Sequence, residues 1–214
     1  MKEFLDKIRK PVSGSISRKI AFSVLILLLG IALGIISKML DETASNLLPP
    51  FLESLDLRNF FSRMGFWLFS GICIAIYSKT PLRAALNTFL FFTGMVSSYY
   101  IYTVFVAGFF PKSYMMIWIV LTILSPLPGA VCWYAKGTHP VSICLSAIIF
   151  MIMTRQTFVF GYWYFDILFI PELLLWCLTI AVLYKTPKQI LTVFGTGSLL
   201  FFITAPLHLL GGLL

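Results

Sequence analysis

The feature of this chain that most constrains its fold is a series of apolar blocks, several of them as long as a bilayer is thick. A helix needs about 20 mostly apolar residues to cross the hydrocarbon core of a membrane. Only 11% of the 214 residues are charged, against roughly a quarter in a soluble domain. Because lipid offers no hydrogen bonds to the backbone, only helices or closed barrels cross it. The blocks do not alternate as barrel strands do, so the sequence predicts one all-α transmembrane bundle over residues 1–214.

The boundaries of the apolar blocks predict seven membrane spans. By residue number they lie at 20–40, 64–78, 82–110, 114–135, 141–154, 167–184 and 189–210. The fourth block contains Pro126 and Pro128, which remove backbone donors and clash with the preceding turn. We therefore expect a kink in the fourth span.

Three segments outside the long apolar blocks also predict structure. Residues 1–19 are basic and have a short apolar face, which predicts a membrane-surface helix before Pro11. Residues 41–63 hold several charges, and after Pro49-Pro50 their apolar residues recur at a helical period. This pattern predicts an amphipathic helix that lies on the bilayer surface or caps the bundle. Residues 155–166 are rich in Tyr, Trp and Phe, which indicates an interfacial belt or a shallow re-entrant loop.

The distribution of basic residues predicts an orientation and excludes one class of partner. The net charge is +8, but the cations lie in short loops and form no stripe, so we expect the lipid bilayer as a partner and not nucleic acid. With seven spans, 11 of the 16 Lys and Arg residues fall on the side of the N-terminus. The positive-inside rule then predicts a multi-pass protein of the bacterial inner membrane, with a cytoplasmic N-terminus and an outer C-terminus.

An eight-residue sequence occurs twice. Residues 74–81 and 180–187 share five of eight positions, including Lys-Thr-Pro at the end of each. Two interpretations stay open. Parallel structural repeats occur in some transporters, but the same residue types also suit any cytoplasmic helix end.

Ionisable and aromatic residues near the outer ends of the spans are the candidates for a ligand site, because ionisable groups in a membrane are costly and often functional. We predict one outward-open pocket formed by Glu172, Arg155, Tyr102, Tyr99, Asp166 and His208. The alternatives are structural. Arg155 would pair with Glu172 or Asp166, or extend to lipid headgroups, and Glu172 would only stabilise the start of its helix.

Gly30 and Gly34 form a small-xxx-small pair in the first span, which allows another helix to approach closely. No other motif points to chemistry. The sequence has no nucleophile elbow, no zinc-protease motif and no phosphate-binding loop. The two histidines would lie on opposite sides of the membrane. We therefore expect no cofactor and no metal site, and an enzymatic role is disfavoured.

Short motifs of the chain resemble those of uncharacterised families of small bacterial polytopic membrane proteins. The motifs are Leu33-Gly34, Pro128-Gly129-Ala130 and Trp133-Tyr134-Ala135-Lys136. This resemblance implies a multi-span helical fold and no known activity. The Gly30/Gly34 spacing is also similar to that of the substrate-binding subunits of energy-coupling-factor vitamin transporters. Those subunits are six-helix proteins in which a helix with this spacing docks a partner. The segment 41–63 and the seventh span depart from that pattern.

Two functions follow as expectations. The first is a protein that binds or transports a small or amphiphilic solute from the outer side, alone or as the membrane subunit of a transporter. The second is a scaffold or regulatory partner that uses the Gly30/Gly34 face to dock another membrane protein.

Overall fold

The computed structural model of the protein describes residues 2–44, 47, 49–109, 111–160 and 163–204. These residues are largely helical. The helices are α1 (Lys2–Ile8), α2 (Ile16–Glu42), α3 (Pro50–Ser54), α4 (Leu57–Ser62), α5 (Met64–Tyr77), α6 (Pro81–Phe105), α7 (Lys112–Leu124), α8 (Pro126–Trp133), α9 (Pro140–Thr157), α10 (Ile170–Leu183) and α11 (Pro187–Thr204). A 3-10 turn, Tyr134–Lys136, follows α8. Two short antiparallel strands, β1 (Phe158–Phe160) and β2 (Phe165–Ile167), pair Phe158 with Ile167.

Three helices are long and apolar enough to cross a membrane, namely α2, α6 and α9. A fourth span is added if α7 and α8 are counted together, and their axes bend by 43°. The bend follows Ser125, where Pro126 begins α8, so the predicted kink is confirmed. Helices α5 and α10 are apolar and have 14 residues each. The predicted α-helical class with apolar membrane spans is confirmed, while the number of seven spans stays a prediction.

The N-terminal helix α1 packs against the bundle. Ile8 is buried, and its carbonyl accepts a hydrogen bond from the Thr138 amide at 3.1 Å. The neighbouring Arg9 guanidinium donates to the Ile76 carbonyl at 3.0 Å and to the Trp133 carbonyl. The predicted helix before Pro11 therefore exists, but it is tied to the ends of α5 and α8.

The segment 41–63 does not form the single amphipathic helix that its periodicity predicts. Helices α3 and α4 are separated at Asp56, whose φ of 49° places it in the left-handed region. Asp and Asn tolerate this conformation better than most residues because a short polar side chain bonds locally. Here the Asn59 amide donates to Asp56 at 2.7 Å. Phe60 is buried against Phe61 and Phe66, so the segment caps the bundle.

The aromatic segment 155–166 contains the end of α9 and a β-hairpin. Phe158 and Phe165 stack across the two strands at 5.0 Å. Trp163 is 97% exposed and Phe165 58% exposed. The two strands thus present aromatic rings on the surface, as expected of an interfacial belt. The sequence did not predict that these residues form strands.

The repeated Lys-Thr-Pro sequence has the same local role at both places. Thr80 accepts a hydrogen bond from the Arg83 amide at 3.1 Å, and Thr186 accepts one from the Gln189 amide at 3.3 Å. The proline after each threonine begins α6 or α11. Threonine at the cap and proline in the first turn both favour helix starts. These two turns alone account for the Lys-Thr-Pro part of the repeat.

Lys and Arg side chains collect around the turns that follow α5, α8 and α10, and we call this end of the molecule the basic end. Several of these cations donate hydrogen bonds to carbonyls at helix ends. Besides Arg9, the Lys136 ammonium donates to the Tyr184 carbonyl at 3.1 Å and to the Val182 carbonyl, and Lys185 donates to the Gly137 carbonyl. Burial lowers the pKa of Lys185, and nearby Arg9 lowers it further. Positive charge at a helix C-terminus is favourable because the last carbonyls carry partial negative charge.

Glycines bring α2 and α6 into close contact, and this is the most extensive helix pair. A Cβ atom on Gly30 would lie 2.2 Å from the Phe91 carbonyl oxygen, and one on Gly34 would lie 2.2 Å from the Ser98 hydroxyl. The predicted small-residue face of the first span is therefore covered by α6 of the same chain. This packing also sets the distance between the two helices that line the candidate site.

Candidate functional site

A cavity of about 260 Å³ lies at the end of the bundle opposite the basic end, between α2, α4, α6 and α7. We call it the Lys38 pocket. Most of its large lining side chains are aromatic: Phe61, Trp67, Tyr99, Tyr100, Phe109, Tyr114 and Trp118. Its polar lining consists of Ser37, Lys38, Asp41, Arg58 and Ser62. Such an apolar wall with a few polar groups is the usual composition of a small-molecule site.

Lys38 is the buried charge of this pocket and is 1% exposed. Its ammonium lies 2.9 Å from an Asp41 carboxylate oxygen and also pairs with Glu42. The same ammonium lies 4.8 Å from the ring centroid of Phe109 and 5.3 Å from that of Tyr99. A buried cation needs such partners because removing it from water is costly, and aromatic faces attract cations.

The acids that pair with Lys38 are more open than Lys38 itself. Asp41 and Glu42 keep 37% and 40% of their side chains exposed. The Tyr99 hydroxyl donates to Asp41 at 3.2 Å, which links α6 to the end of α2. The pocket therefore has a buried cation inside and carboxylates towards solvent.

Tyr100 lies between two spaces of the molecule. Its ring lines the Lys38 pocket and also an adjoining apolar cleft between α6 and α7. The residue is 7% exposed, and its buried hydroxyl finds no hydrogen-bond partner in the part of the chain that the structure describes. A buried polar group without a partner costs free energy. Tyr100 thus forms a wall shared by the pocket and the cleft.

A second buried ion pair lies at the same end of the bundle. Both oxygens of the Glu172 carboxylate accept hydrogen bonds from Arg63, one of them at 3.2 Å. Glu172 is 2% exposed, whereas Arg63 keeps 21% of its side chain exposed. The Arg63 guanidinium also stacks on Phe169 at 3.7 Å and contacts Asp56 at 3.4 Å. The pair joins the start of α5 to the first turn of α10, and it leaves the Glu172 carboxylate occupied.

No protein-family model, curated protein or solved structure matches the chain. The resemblances drawn from its short motifs therefore stay predictions.

Five of the six residues predicted to share a pocket are described by the structure, and they have different surroundings. Tyr99 lines the Lys38 pocket, while Glu172 is paired with Arg63. Arg155 donates to the Thr204 carbonyl at the end of α11. Asp166 is exposed on β2, where its carboxylate accepts from the Ile167 amide at 2.8 Å.

Of the last two predicted residues, Tyr102 is half-buried on α6, outside the lining of the Lys38 pocket. His208 lies outside the described residues. A ligand site around Glu172 and Arg155 stays a prediction, although each of these two charges has its own partner within the protein.

The residues that sequence reasoning missed are Lys38, Asp41, Arg58 and Tyr100. A local signal existed for the first two. Lys38 is followed by acids three and four positions later, the spacing at which side chains meet on a helix. Nothing local indicated Arg58 or Tyr100, since both reach the pocket through packing between distant segments. Among the residues that the structure describes, no group of three His, Cys, Asp or Glu side chains is placed to hold a metal ion.

Proposed function

We propose that the protein is a membrane protein that binds a small amphiphilic solute in the Lys38 pocket, alone or as the membrane subunit of a transporter. The observation that carries this proposal is the pocket itself, a cavity of about 260 Å³ with aromatic walls and a few charged side chains. An aromatic wall gives favourable burial to an apolar body, and the exposed Arg58 guanidinium gives its polar group a partner.

The polar group of the solute is a hydrogen-bond acceptor. The position for a cation, between the rings of Tyr99 and Phe109, is already filled by the Lys38 ammonium. Of the charged groups that line the pocket, Lys38 and Asp41 pair with each other, whereas Arg58 forms no ion pair with any described residue and is the free donor. A carboxylate, carbonyl or hydroxyl head therefore fits the site better than an ammonium head.

The apolar part of the solute has a place beside the pocket. The cleft between α6 and α7 has a volume of about 390 Å³ and is lined by Val104, Phe105, Met115 and Ile119 among others. It shares Val96 and Tyr100 with the Lys38 pocket. A head bound in the Lys38 pocket would leave its chain directed past Tyr100 along this cleft.

The membrane arrangement that we propose has seven spans, with α5, the α7–α8 pair, α10 and α11 crossing in addition to α2, α6 and α9. The N-terminus is cytoplasmic, so the Lys38 pocket opens on the outer side. The excess of Lys and Arg at the basic end supports this orientation.

The scaffold alternative has less support. It depended on the Gly30/Gly34 face of α2 as a docking surface, and α6 covers that face within the chain. A partner bound elsewhere has no specific observation in its favour.

The binding proposal is tested with three amphiphiles that have one hydrocarbon chain of similar length and different head groups, namely decanoate, decanol and decyltrimethylammonium. The full chain is placed in nanodiscs, and the fluorescence of its tryptophans is followed, since Trp67 and Trp118 line the pocket. We expect saturable binding of decanoate or decanol and not of the ammonium. Empty nanodiscs correct for probe that dissolves in lipid.

The matched control for this test is a lysine at the same end of the molecule. Lys112 is exposed at the start of α7 and does not line the pocket. Lys38→Met should weaken binding, and Lys112→Met should leave it unchanged. Equal effects of the two substitutions, or saturation by none of the three probes, would remove the proposal.

A further inference from the structure

A second cavity, at the basic end, is surrounded by four cations. It has a volume of about 90 Å³ and lies where the start of α2 meets the turn between α5 and α6. Its charged lining is Arg18, Lys19, Lys79 and Arg83, and its other lining residues are Phe22, Tyr77, Ser78 and Asn87.

Three of these four cations differ from Arg9, Lys136 and Lys185, which donate to backbone carbonyls of helix ends. Arg83 donates to the Lys19 carbonyl at 3.4 Å, but the side chains of Arg18, Lys19 and Lys79 donate no hydrogen bond to any described residue. None of the four forms an ion pair with a carboxylate of the described residues. Bringing like charges together without an acid is unfavourable, so the cluster favours a bound anion.

The floor of the cavity is a fixed network of polar side chains. The buried Asn87 accepts from the Ser23 hydroxyl at 2.6 Å and donates to the Ser78 hydroxyl at 3.1 Å. The Arg83 guanidinium donates to the same Ser23 hydroxyl at 3.1 Å. This network holds residues of α2, α5 and α6 together. It positions Arg83 before any ligand binds, which lowers the entropic cost of binding.

The size and walls of the cavity narrow the choice of anion. A volume of about 90 Å³ has room for about three water-sized groups. This suits a small anionic group but not a whole solute. Phe22 and Tyr77 form an apolar wall and are 41% and 61% exposed, as suits a group that carries an apolar chain. Arg and Lys bind phosphate oxygens through charge-assisted hydrogen bonds.

We propose that this cavity is a binding site for a phosphate ester, carried by a lipid headgroup or by a soluble molecule. The site is separate from the Lys38 pocket, which lies at the opposite end of the bundle. A phosphate there offsets part of the charge of the four cations and connects α2 to the α5–α6 turn.

The test measures binding of phosphatidylglycerol to the full chain by native mass spectrometry from mixed micelles. Phosphatidylcholine is the zwitterionic control. The site variant is Arg18→Gln/Lys79→Gln, because both residues are exposed and their side chains form no hydrogen bond with any described residue. The matched variant is Lys10→Gln/Lys188→Gln, which removes the same charge from exposed positions outside the cavity. Circular dichroism checks that both variants fold.

The expected result is one phosphatidylglycerol per chain and about 30-fold weaker binding by the site variant, since each Lys or Arg near an anionic headgroup contributes about 1 kcal/mol. The matched variant should bind as the unmodified chain does. Competition by inorganic phosphate at millimolar concentration assigns the site to a soluble phosphate, and its absence assigns the site to the lipid. Equal binding of the two lipids together with no effect of phosphate, or equal losses in both variants, would overturn the proposal.

Discussion

The two buried ion pairs at the pocket end of the molecule differ in what they connect. Lys38 pairs with acids on its own helix, three and four residues later, and these acids stay partly exposed. Arg63 pairs with Glu172, which lies 109 residues away in sequence and is 2% exposed. The first pair lines a cavity, and the second holds two distant segments together. A buried charge therefore indicates a candidate ligand site only where a cavity and unpaired polar groups lie beside it.

The largest effect is expected where the long-range pair is broken. Glu172→Gln keeps the shape of the side chain but leaves Arg63 without its buried counterion. We expect a loss of about 3 kcal/mol in unfolding free energy, the lower end for buried pairs, because Arg63 is partly exposed. Denaturant titration in mixed micelles measures it. Asp56→Asn removes the exposed 3.4 Å contact of Arg63 and should change stability by only about 0.5 kcal/mol. If both changes had the same effect, Glu172 would not be the structural partner.

The opposite result is expected for the pair beside the cavity. Lys38→Met should lower the affinity for the decanoate probe about 10- to 100-fold, because it leaves the Asp41 and Glu42 carboxylates without their cation, and they then repel an anionic head. The stability should fall by less than about 1 kcal/mol, since the two acids are already partly hydrated. Titration of decanoate and the same denaturant titration measure the two quantities. A large loss of stability with unchanged affinity would mean that the Lys38 pair is structural and does not contribute to binding.

The spacing of the pocket walls is tested by a pair of glycines. A Cβ on Gly34 would lie 2.4 Å from the Met95 carbonyl oxygen, whereas none of the described atoms lies within 4 Å of a Cβ on Gly195. Gly34→Ala should therefore cost about 1–3 kcal/mol, as overpacking does, and weaken decanoate binding by displacing α6 from α2. Gly195→Ala should be neutral or stabilise the protein by up to about 1 kcal/mol. Equal unfolding midpoints for the two variants would contradict the close α2–α6 contact.

The smallest effect is expected at Tyr99. Tyr99→Phe keeps the ring over Lys38 and removes the 3.2 Å hydrogen bond to Asp41. One such bond contributes about 1 kcal/mol, so the affinity for decanoate should change by about fivefold or less. Tyr102→Phe, outside the pocket lining, is the matched control and should have no effect. A complete loss of binding in Tyr99→Phe would mean that the hydroxyl itself bonds the probe.

The helices were predictable because the thickness of a bilayer fixes the length of an apolar block, and the kink because Pro126 acts locally. The break at Asp56 was not, since a helical period does not reveal a single left-handed residue. Glu172 was identified as an ionisable residue near the outer ends of the spans, but its burial and its partner Arg63, which is remote in sequence, were not. The Lys38 pocket forms only where α2, α4, α6 and α7 pack together, and no local sequence pattern specifies that packing.

The assignment of the binding site to the Lys38 pocket is tested most directly by the decanoate affinities of Lys38→Met and Glu172→Gln in nanodiscs. Each affinity is calculated for the folded protein only. We predict that folded Glu172→Gln binds decanoate as the unmodified chain does, while Lys38→Met binds at least about tenfold more weakly. Loss of affinity in folded Glu172→Gln, with affinity retained in Lys38→Met, would contradict the assignment and place the binding site at Glu172.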